Sequence, residues 1–321
     1  MSRTYAFVGH PGACAALSRR LEEAGFEPVD DVAEAEAVLT FCTSQTHLED
    51  VYFDSDGLIQ RAAPGTLLID LSASTPNFAR ELNAIAVVND VMALEAPLAA
   101  IDLMASDAFS CDNLMCFVGG EDKEREAGRP FVDALAATVV DAGTCGAAQL
   151  AKAVRSMQVT AQVVAAVEAD ALCRSMGTAS LSCRIDDIAG TAGTPLSAAV
   201  GKAVREERFD GPFAVEMLMA DITAALTAAD DAELILPQAE AAQRLLELLA
   251  VIGGADRGVS SLALVYRDEE AAARAGLDWS RAETAFGTVA GVDDYDEDFG
   301  DLDGVDEGGY QAFGFGSYSA N

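Results

Sequence analysis

Residues 4–25, TYAFVGHPGACAALSRRLEEAG, join a short apolar run to a Gly-His-Pro-Gly turn and then to a stretch with apolar residues at helical spacing. The run 4–9 reads as a buried strand and 13–25 as a helix. A strand feeding a helix through a glycine turn is the opening unit of a parallel, doubly wound sheet. The first half repeats the unit. AVLTFCTS (37–44), TLLIDLS (66–72), AVVNDVMA (86–93), NLMCFVGG (113–120) and TVVDAG (138–143) carry the strand signature, and helix-length segments such as HLEDVYFDSDGLIQRA and NFARELNAI lie between most of them. After Gly146 the pattern changes. Residues 147–176 contain no Gly or Pro and are rich in Ala, Val, Leu and Met, which predicts one long helix ended by Gly177. Helical blocks are expected at 196–208, 212–228, 231–252 and 258–275, so the second half is all-α.

Composition bounds the function. At 321 residues and 51% apolar content the chain is long enough for two domains. No run of about 18 uncharged apolar residues occurs, so no membrane span is expected, and the run 4–9 is too short for a secretory signal core. A cytoplasmic protein is expected. The chain has 53 acidic against 20 basic residues, a formal charge of −33. That charge repels phosphate backbones and anionic lipid, which excludes nucleic acid and membrane surfaces as partners. Seven scattered cysteines without a C-x-x-C pair fit a reducing compartment, and two histidines, His10 and His47, are too few for a metal site. From 287 to 321 the chain turns acidic, glycine-rich and aromatic. It reads as a disordered tail, or as a segment docking on a partner subunit through Tyr310, Phe313, Phe315 and Tyr318.

Gly9, His10, Pro11, Gly12 and Ala13 stand where a dinucleotide pyrophosphate meets free N–H groups at a helix N-terminus. The G-x-G-x-x-G fingerprint is incomplete: Pro11 replaces the second glycine and Cys14 the third. The turn therefore reads as a nucleotide site or as a plain βα turn. Asp30, 21 residues beyond Gly9 and behind the possible strand GFEPV, is either the acid that holds the adenosine ribose or the N-cap of DVAEAE. Lys152 lies in the apolar helical stretch AAQLAKAV. There it is either a desolvated lysine with a depressed pKa or a lysine whose stem runs along the surface.

Several pieces occur in a fixed order: D70-L-S-A-S-T-P76 after a strand, E95-A-P-L98, C116-F-V-G-G120, G143-T-C-G-A-A-Q-L-A-K152 opening the long helix, M219-A-D-I222, and GGADRGVSSLALVY at 253–266. This arrangement resembles the β-hydroxyacid dehydrogenase family, whose members include 3-hydroxyisobutyrate and 6-phosphogluconate dehydrogenases, over about residues 4–275. The resemblance implies a Rossmann-like dinucleotide-binding domain (1–146), shortened after its second strand. It also implies an all-α substrate and dimerisation domain (147–286) joined by a long interdomain helix. Lys152 falls on the family's catalytic lysine, which exchanges a proton with the substrate oxygen as hydride moves to or from nicotinamide. Ser156 takes the place of the family's asparagine one turn on. Ser72, Leu98, Ala99 and Ala100 correspond to substrate-facing positions. Cys42, Thr43, Ala73 and Asp221 correspond to positions at the cofactor.

The departures are specific. Ala99-Ala100-Ile101 replaces a Ser-Gly-Gly that grips the substrate carboxylate, and Ala220-Asp221 replaces a Lys-Asp pair. About a helix and a short strand are missing after Val29. Two readings stand: an NAD(P)-dependent oxidoreductase acting on a small hydroxyl or carbonyl compound, or an inactive descendant serving binding or assembly. If Asp30 is the ribose acid, its charge repels a 2′-phosphate and favours NAD over NADP. The Ala- and Leu-rich helices imply a homodimer or higher even oligomer.

Overall fold

The computed structural model describes residues 3–176 and 193–286. Gly177, Cys183 and the tail 287–321 lie outside the described residues. Eight strands form one sheet: β1 (Thr4–Gly9), β2 (Glu27–Pro28), β3 (Ala37–Phe41), β4 (Leu67–Asp70), β5 (Met92–Glu95), β6 (Leu98–Ala100), β7 (Leu114–Gly119) and β8 (Thr138–Gly143). The order is β2-β1-β3-β4-β5-β7-β6, with β8 also beside β7.

β1 to β5 are mutually parallel, as the strand–helix alternation requires. β7 departs from that expectation and runs antiparallel to both β5 and β6, with β8 parallel to it. The reason is local. Between β6 and β7 the chain holds only a single 3₁₀ turn, Cys111–Asn113, and a strand returning without a crossover helix returns antiparallel.

The sheet is covered on both faces by α1 (Pro11–Glu23), α2 (Gln45–Phe53), α3 (Leu58–Arg61), α4 (Pro76–Val88) and α5 (Asp122–Leu135). Successive strand residues point to opposite faces. On β3 and β4, Leu39 and Ile69 join Leu17, Leu21, Phe131 and Leu135 of α1 and α5. Val38 and Leu68 join Leu48, Tyr52, Phe78 and Leu82 of α2 and α4 on the other face. Thr75 starts α4 by accepting the Phe78 N–H at 3.0 Å, and Pro76 fits the first helical position.

That start accounts for one misplaced strand. Residues 86–88 form the last turn of α4, with Ala86 buried and Val87 and Val88 exposed, Asp90 turns the chain at φ 56°, and β5 begins only at Met92. The β-branched pair Val87-Val88 had given the segment its strand character. The expected helix HLEDVYFDSDGLIQRA is broken by Asp54-Ser55-Asp56-Gly57 into α2 and α3.

The helical half begins with α6 (Ala147–Met176), followed by α7 (Pro195–Arg205), α8 (Val215–Asp231) and α9 (Pro237–Leu249). A π-turn (Ala250–Gly254), a 3₁₀ stretch (Val259–Tyr266), α10 (Glu269–Arg274) and α11 (Ser280–Phe286) complete it. The expected helix 258–275 is therefore two elements, because Asp268 caps α10 by accepting the Ala271 N–H at 2.7 Å. The expected helix at 231 starts at Pro237 instead. Val163, Val167, Val200, Leu218, Ile222, Leu246 and Leu262 make the core of this half. Among the described residues no helix is long and apolar enough to cross a membrane.

Candidate functional site

The carboxyl ends of β1, β3, β4 and β5 point at the first turns of α6 and at α8, and the polar residues of the chain converge there. Gly9 ends β1 at φ +129°, and a Cβ on it would stand 2.1 Å from the Phe41 carbonyl oxygen. Only glycine permits β1 to turn this close to β3. His10 then donates its N–H to that oxygen at 2.7 Å. Its ring caps α1, Nδ1 accepting the Ala13 N–H at 3.3 Å. Pro11 has no N–H, so Gly12 retains the open donor at this helix terminus. The His10 Nε2 lies 3.2 Å from Glu216 in the first turn of α8, which ties the glycine turn to the helical half.

The two readings of Asp30 are separated by its neighbour. Asp31, not Asp30, caps the 3₁₀ turn Val32–Glu34 by accepting the Ala33 N–H at 3.0 Å. Asp30 is exposed just beyond β2.

Cys42, Thr43, Ala73, Leu98, Lys152 and Asp221 line one cleft between the sheet and α8, walled by Phe41, Phe213, Met217 and Ala220. Lys152 is 4% exposed, and its ammonium donates to Asp221 Oδ2 at 2.7 Å. Ser156 Oγ donates to the same oxygen at 3.2 Å. Burial pushes the Lys152 pKa down, against the pull of Asp221, and the nearby Arg155 pushes it down further. A surface lysine is thereby ruled out. Ser72, Ala99 and Ala100 do not line the cleft. The Ser72 hydroxyl is fully buried and accepts the Cys42 N–H at 2.9 Å, which joins the end of β4 to the end of β3. Ala99 packs on Phe117 and Ala148, and Ala100 belongs to the helical core.

Beneath the cleft lies a polar floor. Asp70 accepts the Ser72 N–H at 2.9 Å, and the Thr40 and Ser74 hydroxyls at 3.3 Å each. Burial raises its pKa to about 6, restrained by those bonds. Gln149, fully buried in the first turn of α6, accepts the Ser74 N–H at 3.0 Å and donates to the Ser72 carbonyl at 3.1 Å. Glu95, at the end of β5, accepts the N–H groups of Gly146, Ala148 and Gln149 at 2.6, 3.3 and 3.2 Å. A carboxylate at the start of a thirty-residue helix suits both its open donors and its dipole. Burial raises the Glu95 pKa, and these donors oppose the rise.

Burial pushes the thiols of Cys14 up to about 11 and Cys42 up to about 12, so neither is a nucleophile at neutral pH. No group of three His, Cys, Asp or Glu side chains among the described residues is arranged for a metal ion.

The glycine turn and the start of α1 stand at the carboxyl ends of β1 and β3, and Phe41, on which Gly9 closes, also walls the cleft of the Lys152–Asp221 pair. A doubly wound sheet with a glycine turn at its first strand, a long helix with a buried lysine, and a helical region beyond it fit a nucleotide-dependent dehydrogenase scaffold. Residues 10–146 match the NAD binding domain of 6-phosphogluconate dehydrogenase. Residues 146–266 match the NAD-binding region of NADP-dependent 3-hydroxyisobutyrate dehydrogenase. The chain belongs to the β-hydroxyacid dehydrogenase family. It is 28% identical over 256 residues to an NAD-dependent L-serine dehydrogenase of Pseudomonas aeruginosa, covering 78% of this chain and 82% of that one. With the 3-hydroxyisobutyrate dehydrogenase of the same organism it shares 26% over 263 residues, 78% of this chain and 87% of that one. The solved 3-hydroxyisobutyrate dehydrogenase of Mycobacterium tuberculosis with L-serine has the same fold, at TM-score 0.66 and 23% identity, with 83% of this chain and 100% of that one covered.

Sequence reasoning quoted Asp70, Glu95 and Gln149 inside motifs and gave them no role. The available signal was chemical. An acid at the end of an apolar run such as LLID or MALE is buried, and a buried carboxylate requires donors from elsewhere.

Proposed function

We propose that this protein is an NAD(P)-dependent dehydrogenase or reductase acting on a small hydroxyl or carbonyl compound, with Lys152 as general acid and base. The observation that carries the reading is the buried Lys152 ammonium, held 2.7 Å from Asp221 in a cleft beside the glycine turn. A bound nicotinamide dinucleotide supplies the hydride chemistry. Gly12 N–H and the His10 turn hold its pyrophosphate, and Cys42, Thr43 and Ala73 lie along its path.

Lys152 Nζ holds the proton that passes to or from the substrate oxygen. Burial lowers its pKa from that of a free lysine, the direction a proton carrier needs. Asp221 orients the ammonium, and Ser156 binds the same carboxylate oxygen and fixes its position. Leu98 contributes the apolar wall on the substrate side. The exposed Asp30 charge disfavours a 2′-phosphate, which supports NAD over NADP.

Residues 1–146 form the dinucleotide-binding part in this reading, and 147–286 the part that completes the substrate site and associates. Leu150 and Val154 are 54% and 50% exposed on one face of α6, which supports a homodimer or higher even oligomer. Light scattering at micromolar concentration is expected to give at least the dimer mass, and a monomer refutes that part.

The activity itself is tested by titrating the protein with NADH and NADPH, following nicotinamide fluorescence, with Lys152→Ala beside the wild type. Saturable binding by both proteins and turnover by the wild type alone are expected. Absence of binding at millimolar nucleotide favours the second reading, an inactive descendant. Its specific support is the loss of N–H donors to Pro11 and to the His10 cap.

A further inference from the structure

Glu216 is the second residue of α8, and its carboxylate reaches back to the glycine turn, Oε1 standing 3.2 Å from His10 Nε2. Among the described residues it pairs with no lysine or arginine. The other ring nitrogen, Nδ1, accepts the Ala13 N–H at 3.3 Å. An imidazole that accepts at Nδ1 carries its single proton on Nε2 and is uncharged. The ring therefore does not cancel the charge of the carboxylate beside it. It also lies across Gly12, where an added Cβ would meet ring carbon Cε1 at 3.3 Å.

Residues 4–18 contain neither Lys nor Arg, so this segment offers an anion only backbone donors and the helix dipole. Within the first turn of α1, Pro11 has no N–H, the His10 ring takes that of Ala13, and Gly12 stays open. An acid set against so few donors competes with any other anion for them. The backbone under Glu216 is fixed, the Val215 N–H donating to the Arg257 carbonyl at 2.8 Å and the Glu216 N–H to that of Ala255 at 2.9 Å. Its side chain is 32% exposed and free to rotate toward solvent without moving α8. In the first turn of that helix its charge stays favourably placed after it leaves His10.

We propose that Glu216 is an internal stand-in for the dinucleotide pyrophosphate: its carboxylate, beside His10, fills the anion seat of the glycine turn, and an entering dinucleotide displaces it. One anion replaces another on the same imidazole. The identity of the incoming anion rests on the dehydrogenase reading. Nucleotide affinity is thus set by an acid of the helical half, on the helix that also supplies Asp221.

The test is titration of the full chain with NADH, followed by nicotinamide fluorescence. Glu216→Gln keeps the shape of the side chain and removes its charge. It is expected to bind NADH roughly 3- to 10-fold more tightly than wild type, the range for relief of one like-charge contact near the surface. Glu269→Gln, which removes an exposed acid at the start of α10, should bind as wild type does. His10→Asn keeps a capping oxygen for Ala13 and drops Nε2. In that background Glu216→Gln should change affinity by less than about twofold, because the carboxylate is no longer held at the turn. The His10 Nε2 resonance, told apart from that of the one other histidine by His47→Gln, should shift in Glu216→Gln, and an unchanged resonance overturns the contact. Equal or weaker NADH binding by Glu216→Gln, beside a wild type that binds, overturns the inference and leaves the dehydrogenase reading standing. A gain matched by Glu269→Gln does the same. Binding by Glu216→Gln alone upholds both. Absence of binding by both proteins at millimolar NADH sinks the dinucleotide reading and the inference with it.

Discussion

Asp221→Asn keeps the shape of the side chain and removes the carboxylate bonded to the Lys152 ammonium at 2.7 Å, with the two residues 4% and 8% exposed. Stripping one partner from a buried ion pair costs about 3–5 kcal/mol, because the other charge stays buried and unpaired. At about 2–4 °C per kcal/mol for a chain of this size, the melting temperature should fall by roughly 6–20 °C at neutral pH. The pH dependence is the sharper test. The Lys152 pKa lies below its unfolded value of 10.5, so between the two values the unfolded chain binds more protons and stability rises with pH. Asp221 is the main group opposing that depression. Without it burial and the Arg155 charge act unopposed and the window widens downward. The deficit of the variant should therefore be larger near pH 6 than near pH 10, because the share of buried, charged lysine left unpaired falls as pH rises. Thermal unfolding of wild type and Asp221→Asn across that range measures it. The double variant Lys152→Met/Asp221→Leu, which removes both charges, should return close to wild type. A deficit below about 1 kcal/mol, or one constant with pH, would refute a buried, charged Lys152 dependent on Asp221.

Glu95→Gln should destabilise the protein by about 1–3 kcal/mol in urea, since an amide cannot accept all three N–H groups at the start of α6. The same variant should lower turnover more than it weakens NADH binding, because α6 carries Lys152 and the glycine turn does not touch Glu95. Asp70 has a folded-state pKa raised from 3.8 to about 6, so the folded chain binds the extra proton and stability falls as pH rises through that interval. Asp70→Asn should abolish this slope between pH 4 and pH 7, and a slope unchanged in the variant would assign it to another group.

The sequence carried its fold where local chemistry and long-range packing agree. Strand–turn–helix units at β1–α1 and β4–α4 could be read because apolar runs, a glycine or proline, and a helical period follow one another within twenty residues. Helix α6 could be read because thirty residues without Gly or Pro leave few alternatives. The errors fall where the same local signal serves two structures. Val87 and Val88 favour strands in general, yet they extend a helix already nucleated by Thr75 and Pro76. The reversal of β7 is a matter of what the connection 101–113 lacks, and no single residue announces it. β6 has three residues, too few for any periodicity.

The site was legible in its backbone turns and in one lysine, and illegible in the polar pairs that hold it. Gly9 and Lys152 stand in patterns that can be recognised along the chain. The pairs Asp70–Gln149, Glu95–Gly146 and Lys152–Asp221 join residues 51 to 79 positions apart. One physical rule connects them. An acid closing a buried strand must find donors, and the nearest unsatisfied donors above a doubly wound sheet are those at the beginning of the helix that crosses its end. Two strands here, β4 and β5, end in acids, and both acids reach the first turn of α6. That turn is therefore clamped from two strands at once. Lys152 and Ser156 follow it by about one and two turns, so the clamp helps set their position against the sheet. Asp221 is different in kind: it comes from α8, whose first turn also meets the glycine loop through Glu216 and His10. The Lys152–Asp221 pair thus spans two helices of the helical half, one fixed to the sheet by Asp70 and Glu95, the other touching the glycine turn directly. A change in how α8 sits on the glycine turn will reach the Lys152 ammonium through a single carboxylate.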